Sequence, residues 1–283
     1  MSEILDTLAL LSVLVFVIGS MASMGLSLKM KQIIEPLKNT RLVVLALVVN
    51  FILVPIVAYL ITLVLPLAEP LEIGLILLAT AAGAPFLPKL ADAAKGNLAF
   101  SVGLMVLLMV VTIVYLPIVL PLLLGGIQVS PWEIAQSLIV MMLLPLAIGL
   151  FINARYEGTA AKIQPTFGQA SNIALLVLTV LGLVLNFQDM IGLVGSWGIL
   201  AGIIFIIASG VIGYLLGGSD NSIKNVMALG SGQRNISAAL VVAGQNFGID
   251  VVTYLMVIAV IGLVILMPLA GELGKRAKSN ASK

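Results

Sequence analysis

The sequence predicts an all-α integral membrane protein with about nine transmembrane helices, and three observations carry that prediction. Hydrophobic residues fill 61% of the 283 positions and charged ones only 9%, for a mean hydropathy of +1.23. A soluble domain holds about 25% charged residues, so the composition excludes one. The apolar residues gather in nine runs, near 5–26, 41–65, 71–95, 98–124, 132–153, 168–187, 197–217, 224–246 and 250–272. Each run is about 20 residues or slightly longer, enough to cross a hydrocarbon core of roughly 30 Å as a helix. The cations, finally, alternate with loop parity.

The first run follows the acidic flank MSEILD and is not succeeded by a small-x-small cleavage site, so it reads as a retained helix and not a signal peptide. MASMGLSLKM reads as its end and the start of an amphipathic loop, with the methionines as packing. Lys29, Lys31, Lys38 and Arg41 lie between the first two runs, Lys95 follows the third, and Arg155 and Lys162 lie between the fifth and sixth. Lys224 precedes the eighth, and Lys275, Arg276, Lys278 and Lys283 form a basic tail over 273–283. Loops of the other parity, around Glu69 and Glu72, Gln128 to Glu133, Asp189, and Asn246 to Asp250, hold no Lys or Arg. The positive-inside rule therefore predicts an external N-terminus and a cytoplasmic C-terminus, as an odd span count requires. Pro117, Pro121 and Pro145 are expected to shape their helices.

Two of the 14 Lys and Arg residues fall inside spans, and both stand at helix breakers. Lys89 follows GAPFLP, with Gly83, Pro85 and Pro88; Arg234 lies within GSGQRN, with Gly230 and Gly232. A charge at the centre of a membrane helix costs roughly 2.5–3.5 kcal/mol on insertion scales, which makes a substrate or ion site the default reading. Gln233, Asn235, Ser231 and Ser237 supply polar lining beside Arg234. Two bland readings stand beside these. Lys89 has Asp92 at i+3 as a partner or snorkels to the surface, and Arg234 has a helix-end carbonyl as a structural partner. The segments beginning at Gly83 and Gly230 share a Gly-rich break, a small-residue helix, a Gly and an Asn near its end, and a further apolar helix. They read as inverted repeats with two broken helices, the first over about 5–124 and the second over about 166–272, with an intervening helix at about 132–153. The chain has no His and no Cys, and Asp189, Asp220 and Asp250 fall near span ends, so an enzyme is not expected. Neither a cofactor nor a nucleic-acid partner is expected.

These motifs resemble the bile acid/sodium symporter family over nearly the whole chain. Ala84 to Asn97 is similar to the family's first broken helix, Gly230 to Asn235 to its acidic-x-Gly-x-Gln-Asn motif, and Asn50 with Pro55 to an amide five residues before a proline. The resemblance implies panel and core domains, two broken helices crossing in the core, and alternating access. It places Asn50, Asn97 and Ser101 among the candidate site residues. The family's sodium carboxylate falls at Gly230 and its sodium glutamine at Arg234, while Leu87 and Pro88 stand at a Ser-Asn pair and Met105 at a hydroxyl. A hard cation needs oxygen ligands, so the usual sodium sites are not expected here. Arg234, with or without Lys89, would supply the positive charge permanently, and Lys89 would carry a proton if transport is proton-coupled. The expected function is transport of a small organic anion, a compact monocarboxylate or keto acid, with the bilayer as the other partner and no obligate protein partner. A sodium symporter with a relocated site, an anion channel and a membrane receptor remain as alternatives.

Overall fold

A computed structural model describes residues 2–124, 130–185 and 195–281, which are helical apart from short connections. Gln128 and Asp189 of the cation-free loops, and Lys283 of the tail, lie outside the described residues. The helices are α1 (Ser2–Ser27), α2 (Met30–Ile34), α3 (Thr40–Val64), α4 (Glu69–Thr80), α5 (Leu87–Ala93), α6 (Leu98–Leu123) and α7 (Pro131–Arg155). They continue as α8 (Glu157–Leu185), α9 (Gly198–Leu216), α10 (Asn221–Gly232), α11 (Ile236–Asn246) and α12 (Ile249–Ala281). Among the described residues five helices, α3, α6, α7, α9 and α12, are long and apolar enough to cross a membrane. Large apolar side chains such as Leu63, Val114, Leu122, Leu215 and Val264 face outward, an arrangement that suits lipid and not water.

Two boundaries differ from the sequence reading. α8 begins at Glu157, not near 168: the polar stretch EGTAAKIQPTFGQ is helical, with Gln164 donating to Ser23 Oγ of α1 at 2.9 Å and Lys29 pairing with Glu157 at 2.7 Å on the exposed surface. α12 continues through most of the expected tail to Ala281, with Arg276 paired to Glu272 one turn earlier at 2.9 Å.

Prolines shape α3 and α7 through a single device. A π turn at Val49–Leu53 precedes Pro55, and another at Ile139–Leu143 precedes Pro145. Proline has no N–H to give the preceding turn, so carbonyls there are left for other donors. In α3 the Phe51 carbonyl accepts from the Tyr115 hydroxyl at 2.6 Å and the Asn50 carbonyl from Arg234 Nη2 at 3.4 Å. Pro117 and Pro121, in contrast, sit within an unbroken α6.

α1 packs along α7 and α8. Gly25 and Gly149 bring the backbones of α1 and α7 together: a Cβ on Gly25 would lie 2.9 Å from Gly149 Cα. Small residues at such crossings let helices approach where no hydrophobic force separates protein from lipid. The remaining helices pack around the two interrupted pairs, α4–α5 and α10–α11, whose breaks meet with residues 81–84 and 234–235 buried.

Candidate functional site

The first break, Ala81 to Phe86, turns at Gly83, whose φ of +84° suits glycine. A Cβ there would also run into the backbone of Met109 on α6. Pro88 then sits in the first turn of α5, where the missing N–H costs nothing. The second break is shorter. Residues 230 and 232 were expected to break the helix, but both belong to α10, and the interruption is confined to Gln233–Asn235. The glycines instead allow close packing: a Cβ on Gly230 would press against Leu87 Cδ2 at 3.0 Å, and one on Gly232 against Leu266 Cδ2 at 3.2 Å.

Broken helices expose backbone groups that a membrane interior cannot hydrate, so each must find a partner. Asn235 closes most of the gap. Its N–H donates to Ala81 O at 2.9 Å and its amide to Gly83 O at 3.0 Å, while its Oδ1 caps α11 by accepting from Ala238 N at 3.1 Å. Thr112 of α6 bonds both the N–H and the carbonyl of Ala82 at 3.0 Å. Thr112 and Tyr115 were not among the sequence candidates. A lone hydroxyl in an apolar run gives no signal of the carbonyl it serves.

Arg234 is 4% exposed and all its donors are engaged. Nε donates to Leu78 O at 3.1 Å and Nη2 to Ala79 O at 2.7 Å, the last carbonyls of α4. Nη1 donates to Asn50 Oδ1 at 2.7 Å and Ser231 O at 3.4 Å, and Nη2 also reaches Asn50 O. These five contacts are all to neutral oxygens. The cation thus caps the negative end of the α4 dipole, inside a cage completed by the carbonyl that Pro55 leaves open. Asn50 holds its own side chain in place by donating to Ala46 O at 3.0 Å and Ser231 Oγ at 3.3 Å. The helix-end carbonyl partner anticipated for Arg234 is present, and the planar fork is occupied by protein oxygens.

Lys89 differs in every respect. It is exposed, and its Nζ lies 5.2 Å from the centroid of the Phe86 ring. The ion pair anticipated with Asp92 is made by Lys95, at 3.7 Å. Lys89, Gln233, Arg234 and Ser237 share the lining of a cavity of about 700 Å³. It opens between the breaks with α12 on one side and α1 with α8 on the other. Ser101 is fully buried and donates to Leu98 O at 2.7 Å, away from this lining. Asn97 caps α6 by accepting from Phe100 N at 2.9 Å, beside a smaller cavity near Lys31 and Asn39. Asn50, Ser231 and Asn235 build the crossing beneath the large cavity without lining it.

The model of the sodium bile acid symporter family matches residues 13–193, which include the first break and end before the second. The chain belongs to the sodium bile acid symporter family. A curated relative, the "Uncharacterized sodium-dependent transporter YocS" of Bacillus subtilis (strain 168), is 25% identical over 202 residues. The match takes in 70% of this chain, which spans 60% of the length of that relative. Two interrupted helices that meet beside a cavity fit a family of symporters.

Proposed function

We propose that this protein carries an organic monocarboxylate across the membrane by alternating access, with the Arg234 guanidinium standing where a sodium symporter would hold a cation. One observation carries the reading. Arg234 is a buried cation whose hydrogen-bond partners are neutral oxygens, and none of the ion pairs among the described residues includes it. A buried charge without a counter-ion is expensive, and a substrate carboxylate in the adjoining cavity would neutralise it through space. The cavity lining includes no Asp or Glu that could do so instead. Because the fork of Arg234 is filled, the direct contact falls to Lys89, which lines the same cavity with its ammonium free of any carboxylate.

In this reading nine spans form two inverted repeats, with the N-terminus outside and the C-terminus in the cytoplasm. α1, α7 and α8 act as the panel, and the crossing breaks move against it to open the cavity to each side in turn. A second reading, sodium-coupled symport at another position, is favoured by the name of the Bacillus subtilis relative, a sodium-dependent transporter. Thermal stabilisation of the purified protein by short- and medium-chain carboxylates, measured in sodium, potassium and choline buffers, separates the two. A ligand at a hundredfold excess over its Kd adds about 2.7 kcal/mol of stability. Equal stabilisation in all three cations is the expected result. Stabilisation confined to sodium would establish the symport reading, and none in any buffer would remove the anion reading.

A further inference from the structure

We infer that Asn172 on α8 is the panel-side anchor of the substrate, and that the carried anion is a monocarboxylate bearing a second polar group. The inference rests on the carrier reading above. α1 and α8 place polar and small residues toward one another and the cavity at intervals of three and four, Ser20, Ser23 and Ser27 on α1 and Gln164, Gly168 and Ser171 on α8. The polar members are engaged. Ser20 and Ser171 share a hydrogen bond at 2.5 Å, Ser171 donates to Phe16 O at 2.9 Å, Gln164 donates to Ser23 Oγ and Ser27 donates to Met24 O. All but the last, which lies within α1, hold the two helices together, and the four leave little for a ligand.

Asn172 is the exception. It lines the cavity, it is exposed, and among the described residues its amide has no hydrogen-bond partner. It stands near the middle of the 29-residue α8, about 22 Å along the helix from Glu157. Among the apolar residues that line this cavity an unpartnered amide is tolerated where it meets water or a ligand. An amide both donates and accepts, so it suits a hydroxyl, carbonyl or amide and adds no charge. Lys89, carried by the first broken pair, suits a carboxylate. Met105, Phe205, Leu240 and Leu263 line the space with apolar surface. A cavity of about 700 Å³ lies in the range of sites for ligands well above keto-acid size. One ligand touching both residues would bridge the two layers of helices that transport moves apart.

The test uses the purified full-length protein and matched pairs of acids, hexanoate with 6-hydroxyhexanoate, octanoate with 8-hydroxyoctanoate, and decanoate with 10-hydroxydecanoate. Affinities come from titration calorimetry, with thermal shift as a check. In the unsubstituted protein one hydroxy acid binds about three- to tenfold tighter than its partner, as one added hydrogen bond allows. Asn172→Ala and Asn172→Ser serve as variants. The alanine variant erases that preference while leaving the plain acid's affinity and the ligand-free melting temperature unchanged. Lys89→Gln weakens both members of each pair alike. A preference that survives Asn172→Ala overturns the proposal, as does binding of plain acids with no hydroxyl preference at any length, which leaves the carrier reading standing. Absence of all carboxylate binding overturns both.

Discussion

The two helix breaks hold one cation each and use it in opposite ways. At the second break Arg234 is sealed among five oxygens, and the interruption is three residues long with no residue at positive φ. At the first break Lys89 stands on the cavity with an aromatic face as its near neighbour, and the chain needs Gly83 in the left-handed region to turn. A buried cation is thus evidence of function only once its donors are counted. A guanidinium with every N–H engaged is part of the scaffold and acts on a ligand through its field, whereas an ammonium left open can touch one.

The contrast breaks most sharply at Arg234. Arg234→Gln leaves several buried carbonyls without donors, and we expect a loss on the order of 3–5 kcal/mol in stability. Millimolar sodium or guanidinium should restore part of the lost melting temperature in this variant and none in the parent, because the emptied cage is a set of oxygens suited to a small cation. A variant as stable as the parent, with no response to either ion, would show that the cage is not a cation site. Next in size is Gly83→Ala. The side chain would meet the Met109 backbone at a positive φ, and a cost of roughly 1–3 kcal/mol is expected in unfolding experiments. An unchanged melting temperature would mean that this turn is slack. Lys89→Gln should leave the ligand-free protein as stable as before and weaken carboxylate binding by roughly tenfold, the loss of one charge-assisted bond. Equal affinity in the two proteins would return the contact to Arg234.

The smallest effect is expected outside the membrane, at the exposed pair of Lys29 with Glu157. The hydrogen bond from Lys29, and then its charge, hold the Glu157 carboxyl below its ordinary value. A carboxyl lowered by folding stabilises above its unfolded pKa, and that contribution fades as pH falls through the lowered one. Solvent screens so open a pair, so Glu157→Gln should melt with the parent at neutral pH, and any difference between the two should vanish in acid. A clear drop at neutral pH would give this pair a part in fixing α8 to α1.

Much of this was legible in the chain. Both interruptions, Asn50 five residues before Pro55 and Arg234 all stand in the sequence, and the structure brings them together at the crossing. What was hidden was direction. Sequence gives no way to see that Arg234 points at the end of α4, since the acceptors are backbone atoms more than 150 positions away. The start of α8 was lost because the polar stretch before residue 168, with Gln164 and Pro165, reads as a connection until Ser23 is seen across from Gln164. The polar face of α1 and α8 left a signal that a periodicity count would have caught, hydroxyls and amides at intervals of three and four, and Asn172 is part of it.

The caged guanidinium also changes what the membrane voltage can act on. A bound sodium ion leaves its carrier after delivery, and the empty protein then returns without it. Arg234 is a link of the chain and, in the proposed carrier, would make both journeys. In a carrier whose core shifts across the field, Arg234 and Lys89 would both travel with it, so the empty core would move two charges and the core loaded with a monocarboxylate one. Each elementary charge crossing the full potential is worth about 2.3 kcal/mol per 100 mV. On that reading the empty half-cycle would respond more steeply to a membrane potential than the loaded one.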